Sequence, residues 1–139
     1  MIAFDSDIFS EYLFGNVAIV ERIEAIPKID QALPIVVIEE ALRGRLNTIR
    51  QAGSGKARVE LPQAFELFEK TLEALVEFTV LSYTDAAHAE FLRLKSMKIR
   101  VGSQDLKIAS IAVAHDAKLI SRNRRDFELV PGLKLELWN

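Results

Sequence analysis

The sequence predicts an α/β fold with a mostly parallel central sheet and helices on both faces. Two observations carry that prediction. Short apolar runs of strand length alternate with longer stretches of helical composition along the chain. Acidic or amide residues then follow several of the strand-like runs, where open parallel sheets place their sites.

Taken in order, Ile2–Phe4 is a brief apolar run entering the polar segment DSD, a buried strand followed by a turn. Residues 8–26 carry a helical pattern, with Ser6 or Asp7 as the expected N-cap. In ALPIVVIEEALRGRL a strand ends near Leu33–Pro34 and a helix runs from about Ile35 to Gln51, because proline suits a helix start. Residues 61–77 form an amphipathic helix, FTVLSY at 78–83 a strand, and Thr84 caps a helix through Met97. Gln104 to about His115 is small and apolar, the composition of a buried helix. KLIS at 118–121 is a strand, and LKLEL at 133–137 alternates as an edge strand does.

The 139 residues are read as one domain, residues 1–139, long enough to bury a core. The absence of cysteine excludes disulfides, thiolate zinc sites and cysteine nucleophiles. No apolar run reaches the roughly 18 residues of a membrane span, and the N-terminus lacks a basic leader segment, so a cytoplasmic setting without membrane association is expected. The net charge of −2 is unevenly spread: basic residues gather at 43–58, 93–100 and 122–125, which keeps a nucleic-acid partner open. GSGK at 53–56 has one residue between its glycines and Ala57 after the lysine, which fails the spacing of a phosphate-binding loop and reads as a turn between helices.

Four separated segments bring oxygen ligands toward the carboxyl edge of the sheet. Asp5 follows the first strand, Glu39 and Glu40 lie one turn into the helix after the second, and Asp105 opens the helix leading to KLIS. Asn123 and Asp126 follow that strand. Each alone has an ordinary reading, as turn residue, solvated helix position or loop acid. Together, hard oxygen ligands that repel one another are what Mg²⁺ or Mn²⁺ requires. The cation removes the repulsion and assists phosphoryl chemistry. His88 and His115 sit in or at the end of helices and read as structural. Phe65, Phe68, Phe78 and Phe91 fit core or interface positions.

Three segments also carry a family likeness: FDSD at 4–7, EALRG at 40–44, and the long block RVGSQDLKIASIAVAHDAKLISRNRRDFELVPGL from residue 100. With them the chain resembles the PIN-domain ribonucleases, specifically VapC-type toxins of type II toxin–antitoxin systems. The resemblance implies a three-layer α/β/α sandwich and a divalent-metal site whose core acids are Asp5, Glu40 and Asp105. Glu40 is preferred to Glu39 because the acid of the family motif stands four residues before the glycine, here Gly44. Many relatives have an aspartate where this chain has Asn123, so the fourth position falls to Asn123 or Asp126. Asp7 stands where an asparagine is common and adds negative charge nearby, and LELW replaces a frequent Glu-Asp-Trp.

The expected activity is metal-dependent hydrolysis of RNA, of the tRNA or rRNA class. Arg122, Arg124 and Arg125 are candidates for gripping phosphates. A cognate antitoxin and a homodimer are the partners the resemblance implies. The alternative is a catalytically silent PIN-like module that binds RNA or protein. A signalling receiver domain ranks behind both, since no phosphoacceptor strand is evident in the middle of the chain.

Overall fold

The computed structural model describes residues 1–56 and 58–139. Among the described residues five short strands make one sheet: β1 (Ile2–Phe4), β2 (Gln31–Pro34), β3 (Thr79–Leu81), β4 (Lys118–Ser121) and β5 (Lys134–Leu137). Their order is β3-β2-β1-β4-β5, and every neighbouring pair is parallel. All carboxyl ends therefore share one edge. The chain leaves β1 for one half of the sheet and later returns to fill the other half. The reversal lies between β1 and β4, where Phe4 pairs with Ile120. In such sheets the crevice beyond the strand ends at this point is where ligands bind.

Among the described residues seven α-helices flank the sheet: α1 (Ser6–Leu13), α2 (Val17–Glu24), α3 (Ile35–Gly53), α4 (Leu61–Leu75), α5 (Asp85–Ser96), α6 (Ser103–Ala114) and the single turn α7 (Arg124–Phe127). The helix expected over 8–26 is two helices. Gly15 adopts a left-handed φ of 79° and Asn16 caps the second helix, accepting from the Ile19 N–H at 3.3 Å. The first N-cap is Asp5, not Ser6 or Asp7: its carboxylate accepts the Ile8 N–H at 2.9 Å. Helix α7 falls where the sequence suggests only a loop, since four residues are too few to show a helical period. The strand expected over 78–83 shrinks to three residues at the sheet edge, with Thr79 and Val80 exposed. GSG makes the expected turn, with Gly55 at φ 75°.

Burial of the central strands explains their sequence. Ala3, Phe4, Ala32, Leu33, Leu119 and Ile120 are essentially inaccessible, as a parallel strand covered on both faces requires. Helix α6 is buried on most of its surface, through Leu106, Ile108, Ala109, Ile111 and Ala112, which accounts for its small apolar composition. Phe78, expected in the core, packs edge-on against Phe9 at a centroid distance of 5.5 Å. Phe91 is also buried, whereas Phe65 is half exposed. Helix α3 packs against both α1 and α6, so the residues of its first turns face the crevice.

Candidate active site at the sheet switch point

Asp5 is the buried acid of the crevice, only 3% exposed. Strand β1 ends one residue before it, and its own N–H donates to the Ile120 carbonyl at 3.2 Å, extending the ladder. One carboxylate oxygen caps α1; the other receives the Ser121 hydroxyl from the end of β4. Burial outweighs these donors and the nearby charges of Asp7 and Asp105 add to it, so the Asp5 carboxyl is pushed from 3.8 up to about 6.

Asp105 lies in the first turn of α6 and is half-buried. Its carboxyl is also raised to about 6, first by desolvation and then by the negative charges of Asp126, Glu40 and Asp7. Those charges come from the starts of α1, α3 and α7, so α6 delivers Asp105 into a ring of acids contributed by four helices. This exceeds what a carboxylate gains from a helix N-terminus. Of the adjacent glutamates, Glu39 is exposed and clamped by Arg43 in an i,i+4 ion pair. Glu40 faces inward and accepts from the Gln104 amide at 3.0 Å.

Asn123 joins the remaining acids. Its side-chain oxygen accepts the Asp126 N–H at 3.2 Å and caps α7, leaving its amide nitrogen to donate to Asp126 at 3.0 Å and toward Asp105 at 3.5 Å. Its backbone N–H in turn donates to the Ser121 hydroxyl at 2.8 Å, so one connected network runs from Asp5 through Ser121 and Asn123 to Asp105 and Asp126. With its oxygen occupied by the cap, Asn123 orients carboxylates and is poorly placed to ligate a cation. Asp126 brings a further carboxylate close enough to raise the Asp105 carboxyl.

The donor set has the chemistry of hard-cation ligands. It is all oxygen, clustered, and electrostatically unfavourable without a counter-charge. The Ser6 hydroxyl, beside Asp5, is a buried polar atom with no hydrogen-bond partner. Among the described residues no three His, Asp or Glu side chains converge into a ready-made metal cage. Asp5, Glu40 and Asp105 are instead turned toward Ser121, Gln104 and Asn123, respectively.

Of the two hydrogen-bonding participants, Gln104 goes beyond the sequence expectation, whereas Ser121 is legible as a group able to hydrogen-bond near the site. Gln104 carries no signal of its own, because an amide beside an acid makes no pattern, although its place at the start of α6 is a usable clue. Ser121 reads equally as a plain strand-end residue. The arginines divide: Arg124 pairs with Glu128 on its own short helix, Arg122 approaches Glu11 at 3.9 Å, and Arg125 is almost fully exposed at 3.8 Å from Asp126. The histidines stand apart from the acids, His115 bonding the Ser82 carbonyl and His88 the Tyr83 hydroxyl. No helix among the described residues is long and apolar enough to cross a membrane.

Known proteins share this fold. A stretch of 46 residues is 39% identical to Ribonuclease VapC2 of Rickettsia felis, covering 33% of this chain and 34% of that protein, so the match spans about a third of the curated relative's length. The structure of VapBC2 from Rickettsia felis bound to a DNA fragment from its promoter superposes over 100% of both chains with a TM-score of 0.79 at 21% identity. A toxin–antitoxin complex from Klebsiella pneumoniae superposes over 96% of this chain and 95% of that one, with a TM-score of 0.71 at 21% identity. At such identity these two establish the fold. The PIN domain family profile matches residues 2–133, nearly the whole length, and the chain therefore belongs to the PIN-domain family.

Proposed function

We propose that the protein is a metal-dependent endoribonuclease, the toxin of a VapBC-type pair. The observation that carries this reading is the acid ring at the sheet switch point, with two carboxyls raised to about 6 and no basic side chain bonded to Asp5, Glu40 or Asp105 among the described residues. Clustered carboxylates under such strain are accounted for by a ligand that brings positive charge.

Asp5, Asp105 and Glu40 would hold Mg²⁺ or Mn²⁺, with Asp126 close by. Bound there, the cation supplies Lewis acidity toward a phosphoryl oxygen and a more acidic water. Ser121 and Gln104 hold the Asp5 and Glu40 carboxylates by hydrogen bonds, and the Asn123 amide is aimed at Asp105, which limits the reorganisation needed on binding. Glu40, on the groove side of the ring, would help hold the cation or orient the attacking water and take its proton; the water oxygen bonds to phosphorus as the phosphodiester P–O bond breaks, and the leaving oxygen takes a proton from solvent water. Arg122 and Arg125 are exposed beside the ring and suit phosphate contacts, whereas Arg124 is committed to Glu128. An antitoxin and a second copy of the chain are the proposed protein partners, in keeping with the VapBC and toxin–antitoxin complexes that share the fold.

The test is total RNA incubated with Mg²⁺ or Mn²⁺ and either wild type or Asp105→Asn, followed by mapping of new RNA termini. Cleavage by wild type, at least ~10²-fold reduced in the variant, is the expected result. Equal cleavage by both defeats the mechanism. A silent RNA- or protein-binding module is the second reading, favoured by an amide at position 123. RNA binding without metal-dependent cleavage would select it.

A further inference from the structure

A groove of about 430 Å³ leads away from the acid ring between α1 and α3. Asp7 and Glu40 stand at its mouth, Gly44 forms part of its floor, and Phe14 and Arg45 line it farther on. Three residues give this groove its character.

Gly44 sits in the middle of the 19-residue helix α3, where glycine is the poorest helix former after proline. A Cβ built there meets no atom within 4 Å, and the glycine is not needed for a positive φ. Packing within the chain does not require it. What its missing side chain does is keep the groove floor low. Phe14 leaves 80% of its surface in solvent on the wall of the same groove, so its ring is open to a ligand lying there. Arg45 has its Nε bonded to Thr71 at 2.9 Å, which fixes its direction, and makes no ion pair among the described residues.

We infer that this groove seats the nucleotide next to the scissile phosphate of a single-stranded RNA. Its base stacks on Phe14 above the bare backbone at Gly44, and its outer phosphate meets Arg45. The inference rests on the nuclease reading for the identity of the acid end. The chemistry of the rest favours RNA over a peptide: a groove walled by an exposed aromatic ring, a fixed cation beyond it, and an acid one helical turn along α3, at Glu40. An aromatic face accepts any base, so this subsite contributes affinity and register.

Two labelled probes of equal charge test it by fluorescence anisotropy: a single-stranded RNA hexamer of mixed sequence, and the same hexamer with abasic riboses. Wild type binds the base-containing probe more tightly, by ~5- to 150-fold if one base stacks. Phe14→Ala and Gly44→Leu remove that preference while leaving the abasic probe unchanged. Gly44→Ala raises the melting temperature by ~2–4 °C, since alanine is the better helix former and meets nothing. If either of the first two variants keeps the preference, or if Gly44→Ala lowers the melting temperature, the subsite is wrong and the groove serves a peptide or the fold itself. Failure of the nuclease reading shows differently: Asp105→Asn cleaves RNA as wild type does while the base preference persists.

Discussion

Asp5 should be destabilising in the cation-free protein at neutral pH, and replacing it by asparagine should make the protein more stable. A carboxyl held at about 6 in the fold and at 3.8 when unfolded binds its proton more readily in the native state. Between those values the native state carries more protons, so stability falls as pH rises from about 4 to 6 and stays low above. At ~1.4 kcal/mol per pH unit, the penalty at neutral pH is about 3 kcal/mol for this nearly inaccessible side chain. Asparagine is as good an N-cap as aspartate and keeps the bond from the Ile8 N–H, but it loses acceptance of the Ser121 hydroxyl, worth about 1–1.5 kcal/mol. The net gain is about 1–2 kcal/mol, or ~3–8 °C in melting temperature for a chain of this size.

Thermal unfolding in EDTA from pH 4.5 to 8 measures this. The wild-type melting temperature should decline across pH 4.5–6.5 relative to Asp5→Asn, and the variant should melt higher at pH 7.5. Adding Mg²⁺ or Mn²⁺ at about 100 times its dissociation constant should restore about 2.7 kcal/mol to wild type and little to the variant. Asp105 contributes in the same direction but is half exposed, so solvent screening shrinks its share. An Asp5→Asn protein that melts lower than wild type at pH 7.5, with parallel pH curves, would refute the claim that this acid is held against its own preference.

Ser121→Ala should act in the opposite sense: Asp5 loses a donor that lowers its pKa, so its carboxyl rises further above 6, and denaturant unfolding should report a loss of ~1–3 kcal/mol at neutral pH. Reversing the charge at Arg122 or Arg125 should weaken binding of single-stranded RNA and lower the slope of log affinity against log salt by ~1 for each phosphate no longer neutralised, measured by filter binding across a salt series. The same change at Arg124, already engaged with Glu128, should move the slope less.

Legibility in the sequence follows the length of the signal. Helices α3, α4 and α6 span three or more turns, and the sequence places each to within about two residues, because a periodic apolar face repeats several times over that distance. The break at Gly15 and the single turn of α7 are decisions made by two or three residues, below the reach of any period. Asp5, Glu40 and Asp126 stand out in the sequence because they lie just beyond strand ends, a rule of topology, whereas Asp105 stands out as a lone acid opening a small, apolar helix. The network that holds them does not, because Ser121 and Gln104 matter through where neighbouring elements bring them. Asn123 illustrates the limit most clearly. Read in sequence, an amide at that position weakens the site by one charge. In the fold, its oxygen caps α7 while its nitrogen faces Asp105 and Asp126, so it lessens the repulsion between two acids that a third would increase. A residue that looks like a missing ligand thereby becomes a reason the remaining acids tolerate one another without a counter-charge.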